Sequence, residues 1–185
     1  MSRRIHITGA SGTGTSTLAR ALATRLASQA FDTDDFYWVP SDPPFREVRP
    51  VRDRIRLMEE VFLSRGDWVL SGSLHSWGTP VVARVTHVIF LTLDPATRLA
   101  RLRRRERQRF GARIGPGGDM EAAYRGFLDW AMSYDEDGAS SRSRKAHEAW
   151  LRSLTVPVLR FDSACPVDEL ATETAAELDA KRGAA

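Results

Sequence analysis

A chain of 185 residues, 42% of them hydrophobic, is long enough to bury one full core, and nothing in its order divides it, so one domain over residues 1–185 is expected. It contains no apolar run long enough to span a bilayer, and its basic N-terminus leads straight into a strand, so no signal peptide is expected and the cytoplasm is the expected compartment. Cys165 is the only cysteine, which excludes an intramolecular disulfide, and behind the net charge of +3 the only lysines are Lys145 and Lys181, so any bound phosphate must be met mainly by the planar fork of arginine.

Ile5 and Ile7 open an apolar run that reads as a first buried strand, and Leu18, Leu22 and Leu26 recur every four residues as a helix stripe. Between them runs Gly9-Ala10-Ser11-Gly12-Thr13-Gly14-Thr15-Ser16-Thr17. The spacing of Gly9, Gly14 and Ser16 matches G-x-x-x-x-G-K-[ST], a phosphate-binding loop between a strand and a helix, except that Thr15 stands at the lysine position. Glycines here let the backbone curl and turn successive N–H groups inward. With the positive end of the helix, those groups bind phosphate oxygens without any side chain. Residues Gly9 to Thr17 are the candidate nucleotide-binding set, and Ser16 sits where a magnesium-binding hydroxyl belongs. An ordinary strand–turn–helix is the alternative.

Ala30-Phe31-Asp32 reads as a short second strand, followed by a proline-rich segment from Pro40 to Pro50. Val51, Ile55, Met58 and Phe62 make a helix stripe, and Trp68-Val69-Leu70-Ser71 is a third strand opening on the small-residue loop Gly72-Ser73. His87 to Leu93 is the strongest buried strand, and Asp94-Pro95 starts the next helix with a cap and a proline in its first turn. That helix carries Leu99 and Leu102 into an arginine-rich stretch and the loop Gly111 to Gly118. Tyr124, Phe127, Leu128 and Ala131 mark another helix, and His147, Trp150, Leu151 and Leu154 one more. Val156 to Phe161 is the fifth strand, and Val167, Leu170, Thr174 and Leu178 line a terminal helix. Five buried strands with intervening helices predict an α/β fold with a parallel sheet covered on both faces. Ligands in such sheets sit beyond the carboxyl ends of the strands. The Gly9 loop, Asp32 to Asp35, Ser71 to Ser73 and Asp94 are therefore the positions to examine.

The glycine-rich loop, the segment Phe31-Asp32-Thr33-Asp34-Asp35-Phe36-Tyr37-Trp38 and the stretch Arg98 to Arg109 together resemble the P-loop kinases of the adenylate kinase and shikimate kinase type. The resemblance covers nearly the whole length and is closest to a bacterial adenylate-kinase-like or topology-modulation-like branch. It implies a three-layer P-loop NTPase fold, with a five-stranded parallel sheet of order 2-3-1-4-5. It also implies an acceptor-binding insert at approximately 36–66 and an arginine-rich lid at approximately 105–120. The implied activity is transfer of the terminal phosphoryl group of ATP, or another nucleoside triphosphate, with Mg²⁺, to a small-molecule acceptor.

In kinases of shikimate type a D-x-D at the end of strand 2 holds metal-bound water and the acceptor hydroxyl, and Asp32 and Asp34 match that spacing. The resemblance thus puts Asp32 with Ser16 at the metal and Asp34 at the acceptor. Carboxylates suit both tasks, as a hard oxygen ligand or a proton acceptor. The alternative is a solvated acidic turn, or a helix cap formed by Asp34 or Asp35. Ser71-Gly72-Ser73 stands where nucleoside monophosphate kinases tend to carry an aspartate, which favours a small hydroxylated acceptor.

Arg101, Arg105 and Arg109 lie four apart on one helix face, and Arg113 follows. The resemblance implies that lid arginines close over the transferring phosphoryl group, and Arg105 and Arg109 are the candidates for work the absent lysine would share. A solvated helix with Glu106 among the positive charges is the alternative. Nucleic acid is not an expected partner, because aromatic interleaving is absent. Arg142, Arg144, Lys145 and His147 form a second basic patch able to meet a phosphorylated acceptor. A nucleotide-binding regulatory protein without turnover is the second reading, and Thr15 favours it.

Overall fold

The computed structural model describes residues 2–136 and 143–182. In chain order the elements begin with β1 (Arg4–Gly9), α1 (Thr15–Arg25), β2 (Ala30–Asp32), α2 (Thr33–Tyr37), β3 (Trp38–Val39) and β4 (Glu47–Val48). There follow α3 (Val51–Met58), a π-helical turn (Glu59–Leu63), β5 (Trp68–Ser71), α4 (Thr79–Val82) and β6 (His87–Thr92). Then come α5 (Pro95–Phe110), a 3₁₀ turn (Gly111–Ile114), α6 (Glu121–Met132), a second 3₁₀ turn (Ser133–Asp135), α7 (Arg144–Arg152), β7 (Val158–Asp162) and α8 (Val167–Arg182). These elements fall into two compact units. One comprises Met1–Gly9, Gly14–Thr92 and Leu154–Ala185, the other Ala10–Thr13 and Leu93–Ser153.

The first unit holds a five-stranded, wholly parallel sheet of order β2-β5-β1-β6-β7. β3 and β4 form a separate antiparallel ribbon, so the sheet strands counted alone run 2-3-1-4-5, as expected. Alternation along the strands sends Ile5, Ile7, Val69, Ile89, Leu91 and Leu159 into one core with Leu18 and Leu22 of α1 and Leu170 and Leu178 of α8. On the other face Phe62, from the π turn, stacks on Phe31 at 4.3 Å between ring centroids and meets Trp68 edge-on at 5.3 Å. Cover on both faces is why these strands read as continuous apolar runs.

Several boundaries differ from the sequence reading. The proline-rich segment contains β4, which pairs with β3 just ahead of it, and Thr33–Tyr37 forms a helix too short to show a period. The last sheet strand starts at Val158 rather than Val156, because Pro157 has no N–H to give the ladder; its carbonyl accepts from Val88 N at 2.9 Å.

The second unit is helical. Asp94 caps α5 by accepting from Thr97 N at 2.8 Å, as its sequence predicts. Hydrogen bonds from Thr97, side chain first and backbone second, hold the Asp94 carboxyl below its ordinary range. Arg98, Leu102 and Glu106 form the buried stripe of α5. The segment expected to be a lid begins inside this continuous helix, and the first half of the loop from Gly111 is the 3₁₀ turn. α7 ends at Arg152, short of Leu154. Among the described residues no helix is long and apolar enough to cross a membrane.

Candidate functional site

The glycine-rich loop leaves the end of β1 and enters α1. Gly14 is the N-cap of α1 with φ +89°, in the left-handed region that glycine adopts without a steric cost, and its carbonyl accepts from Thr17 N at 3.0 Å and Leu18 N at 2.9 Å. No acidic residue of α1 lies in its first turn. Within the arc of residues 10–13, Thr13 folds back on Ala10 O through both its N–H (3.2 Å) and its hydroxyl (2.8 Å). Thr13 is buried and serves the loop's own shape.

Ser16 and Asp32 come together in the first unit. The Ser16 hydroxyl donates to Asp32 Oδ2 at 2.5 Å, and the Ser71 hydroxyl donates to the same oxygen at 3.0 Å. The other carboxylate oxygen accepts from Asp34 N at 3.1 Å, which makes Asp32 the N-cap of α2. The sequence alternative of a cap at Asp34 or Asp35 is thereby corrected. A cap residue keeps extended backbone, as Asp32 does at φ −118° and ψ 134°, whereas the other two lie inside the helix. Asp34 and Asp35 are exposed in its first turn. The Asp32 partnership of Ser71 escaped the sequence reading, although a small hydroxylated residue ending the adjacent strand was a usable signal. The Thr33 hydroxyl accepts from Ser73 N at 3.1 Å and ties the β5 exit to α2.

The donors that Ser16 and Asp32 offer are oxygens only, one hydroxyl and one carboxylate. Magnesium accepts such a set when phosphate oxygens and waters complete its shell. Among the described residues no three His, Cys, Asp or Glu side chains gather as a metal cluster.

Two arginines of the expected insert were not singled out by sequence. Arg54 is 5% exposed, with its guanidinium 3.9 Å from the Tyr37 ring centroid and 5.0 Å from that of Trp77. Its Nε donates to Arg49 O at 2.6 Å, while Arg49 donates to Phe36 O and Trp38 O at 2.9 and 3.1 Å. In a chain this rich in arginine, composition alone does not separate such residues from solvated ones.

In the second unit Arg105 pairs with Glu106 at 2.7 Å and lies over the Phe127 ring at 5.7 Å. Arg109 is exposed near the end of α5, and Arg113 pairs with Asp119 at 2.7 Å. Arg142 lies outside the described residues. Arg144 and Lys145 are exposed, but His147 is not part of a surface patch. It is 3% exposed beside Tyr134, whose hydroxyl is 3.1 Å from its Nδ1, because α7 turns His147 and Leu151 to one buried face. Arg98, 1% exposed, was not expected inside a core.

The fold recurs in solved kinases. A shikimate kinase from Bacteroides thetaiotaomicron superposes with a TM-score of 0.54 at 16% identity, over 96% of this chain and 98% of that one. A gluconokinase from Sinorhizobium meliloti 1021 gives 0.51 at 17%, over 92% and 88%. In sequence, the uncharacterized protein YqaC of Bacillus subtilis (strain 168) is 40% identical over 169 residues, 91% of this chain and 93% of the relative. The AAA domain family model AAA_18 matches residues 5–122, a span that takes in the glycine-rich loop, Asp32 and all of α5. The chain thus has the α/β fold of these kinases, and it belongs to the AAA domain family AAA_18.

Proposed function

We propose that the protein is a phosphotransferase that moves the terminal phosphoryl group of ATP, or of another nucleoside triphosphate, to a small hydroxylated acceptor, within the adenylate-kinase-like branch of P-loop kinases. The observation that carries this reading is the Ser16–Asp32 hydrogen bond, which ties the hydroxyl of the loop's helix to a carboxylate at the end of β2. Backbone N–H groups within residues 11 to 16, other than that of Thr13, which donates to Ala10 O, would hold the phosphates. Ser16 and Asp32 would hold Mg²⁺, which when bound offsets charge on the phosphate chain. Asp34 lies two residues after Asp32, in the first turn of α2, and is exposed, as a group meeting an acceptor must be. In the transfer, the acceptor oxygen bonds to the terminal phosphorus while the bridging oxygen leaves with the nucleoside diphosphate, and the hydroxyl proton passes to Asp34. Arg105 and Arg109 are proposed to neutralise charge developing on the phosphoryl oxygens. A cytoplasmic location remains part of the proposal.

Product formation from ATP, with and without Mg²⁺, over a panel of hydroxylated metabolites tests it. A thermal-stabilisation screen first narrows the panel, since a ligand selective for the folded state raises its apparent stability. Thr15 favours a second reading, a nucleotide-binding regulator without turnover. If Thr15→Lys creates activity in an otherwise silent protein, that second reading is the right one.

A further inference from the structure

Arg98 is the fully buried arginine of α5, and among the described residues its one ion-pair partner is Asp135. Asp135 also accepts from Arg144 Nε at 2.8 Å and Nη2 at 2.5 Å, so one carboxylate is shared between two guanidiniums. Among the described residues this sets two guanidiniums against one carboxylate, Arg98 buried and Arg144 exposed. Arg98 Nε and Nη1 are buried with no hydrogen-bond acceptor among the described residues. A buried guanidinium with two unmet donors is costly unless another group gains from its charge.

The same residue carries the phosphate loop's arc. A Cβ added to Gly12, at φ +89°, would lie 2.8 Å from Arg98 O and 3.1 Å from Arg98 Cα and Cβ, so only glycine lets this arc rest on α5. The Arg98 guanidinium faces Tyr134 with its Cζ 5.4 Å from the ring centroid, and Tyr134 lines a small cavity with Ser11, Trp130 and Ala131. Ser11, Gly12 and Arg98 belong to one compact unit.

We propose that Arg98 is the fixed internal cation of the phosphate loop, supplying from beneath residues 11–13 the static charge that a lysine at position 15 would supply directly, with Asp135 setting how much of that charge the loop feels. The inference rests on the reading of the loop as a phosphate binder. Arg98 touches no ligand in this scheme; it acts through the field it sets at the loop, which in a dry interior is weakly screened. This task differs from that proposed for Arg105 and Arg109, which concerns charge that develops during transfer.

The sign of the effect tests it. Calorimetric binding of inorganic tripolyphosphate and of ATP is measured for the wild type and for Arg98→Met, Asp135→Asn and Arg144→Gln. Asp135→Asn removes the competing negative charge and should tighten both ligands by about threefold to tenfold. Arg144→Gln, at an exposed residue, returns Asp135 wholly to Arg98 and should weaken them by a similar factor. Arg98→Met should weaken them about tenfold, with adenosine binding unchanged in every variant. Loss of packing weakens binding whichever residue is changed, so opposite signs for Asp135→Asn and Arg144→Gln are a signature of charge. A wild type that binds neither tripolyphosphate nor ATP overturns the loop reading itself. Binding in the wild type, with unchanged or same-sign responses in those two variants, overturns the role of Arg98 alone.

Discussion

Ser16 Oγ lies 2.5 Å from Asp32 Oδ2, while Asp32 Oδ1 caps α2, so a single carboxylate fixes both the first turn of α1 and the start of the helix bearing Asp34. These two tasks separate on substitution. Asp32→Asn retains the shape and remains a good cap but loses the charge, so the Mg²⁺ concentration needed for activity should rise at least tenfold with little loss of stability. Asp32→Ala should additionally cost about 1 kcal/mol through the lost cap. A magnesium titration of activity and a denaturant melt on both variants check this. An unchanged Mg²⁺ requirement in the asparagine variant would remove Asp32 from the metal site.

Gly14→Val should abolish nucleotide binding. The valine side chain would occupy the phosphate's space, and a β-branched residue at φ +89° is strained by about 1–2 kcal/mol or more. Undiminished calorimetric affinity in that variant places the nucleotide elsewhere.

Asp34→Asn should leave nucleotide affinity within about twofold and remove phosphoryl transfer, because it keeps the shape and deletes the proton acceptor. Arg105→Ala and Arg109→Ala, assayed beside it, should lower kcat more than they weaken binding, since the charge they meet develops only in the transition state. If Asp34→Asn turns over normally, that residue belongs to a solvated turn. If neither arginine variant changes the rate of an active wild type, the lid assignment falls.

His6 gives the protein an acid-sensitive core. It is fully buried in β1 with Nδ1 3.1 Å from Leu70 O, and burial lowers its pKa from 6.5 to about 4, against a smaller raising effect of the Leu70 hydrogen bond. Above pH 6.5 the ring is neutral in both folded and unfolded chains. Between pH 6.5 and 4 the unfolded chain binds the proton first, so stability falls as pH falls through that window and levels off below it for this group. The difference amounts to about 3 kcal/mol at neutral pH. Denaturant melts at pH 7, 5.5 and 4 should show a steeper loss for the wild type than for His6→Gln. Parallel pH profiles would discharge His6 from this role.

What could be read from sequence follows from how each signal is generated. The five sheet strands and α5 were legible because burial on two faces and a four-residue repeat write themselves into consecutive residues. The Gly9–Ser16 loop was legible because its spacing is fixed by local backbone geometry. Asp32 as the cap of α2 was not, since α2 is only five residues long and carries three successive aspartate or threonine candidates around its start. Arg98 and Arg54 were illegible for a different cause. Their burial depends on partners 37 residues away in Asp135 and 23 away in Trp77, and no periodic pattern records a distant partner. His147 was misplaced among surface charges because its neighbours Arg144 and Lys145 are exposed, while its own helix phase points inward.

The sheet order carries a consequence for how the site holds its shape. β1 is laddered to β5 on one side and β6 on the other, and Ile5 and Ile7 are completely enclosed. Its amides should therefore exchange with solvent only through opening of the whole domain. β2, which ends at Asp32, is a three-residue strand at the sheet's edge with a ladder to β5 alone. Its amides escape through a much smaller excursion. Within the sheet, the strand leading into the glycine-rich loop is held on both sides and the strand ending at Asp32 on one, so a ligand arriving at the loop would meet a rigid anvil on one side and do its shaping on the other.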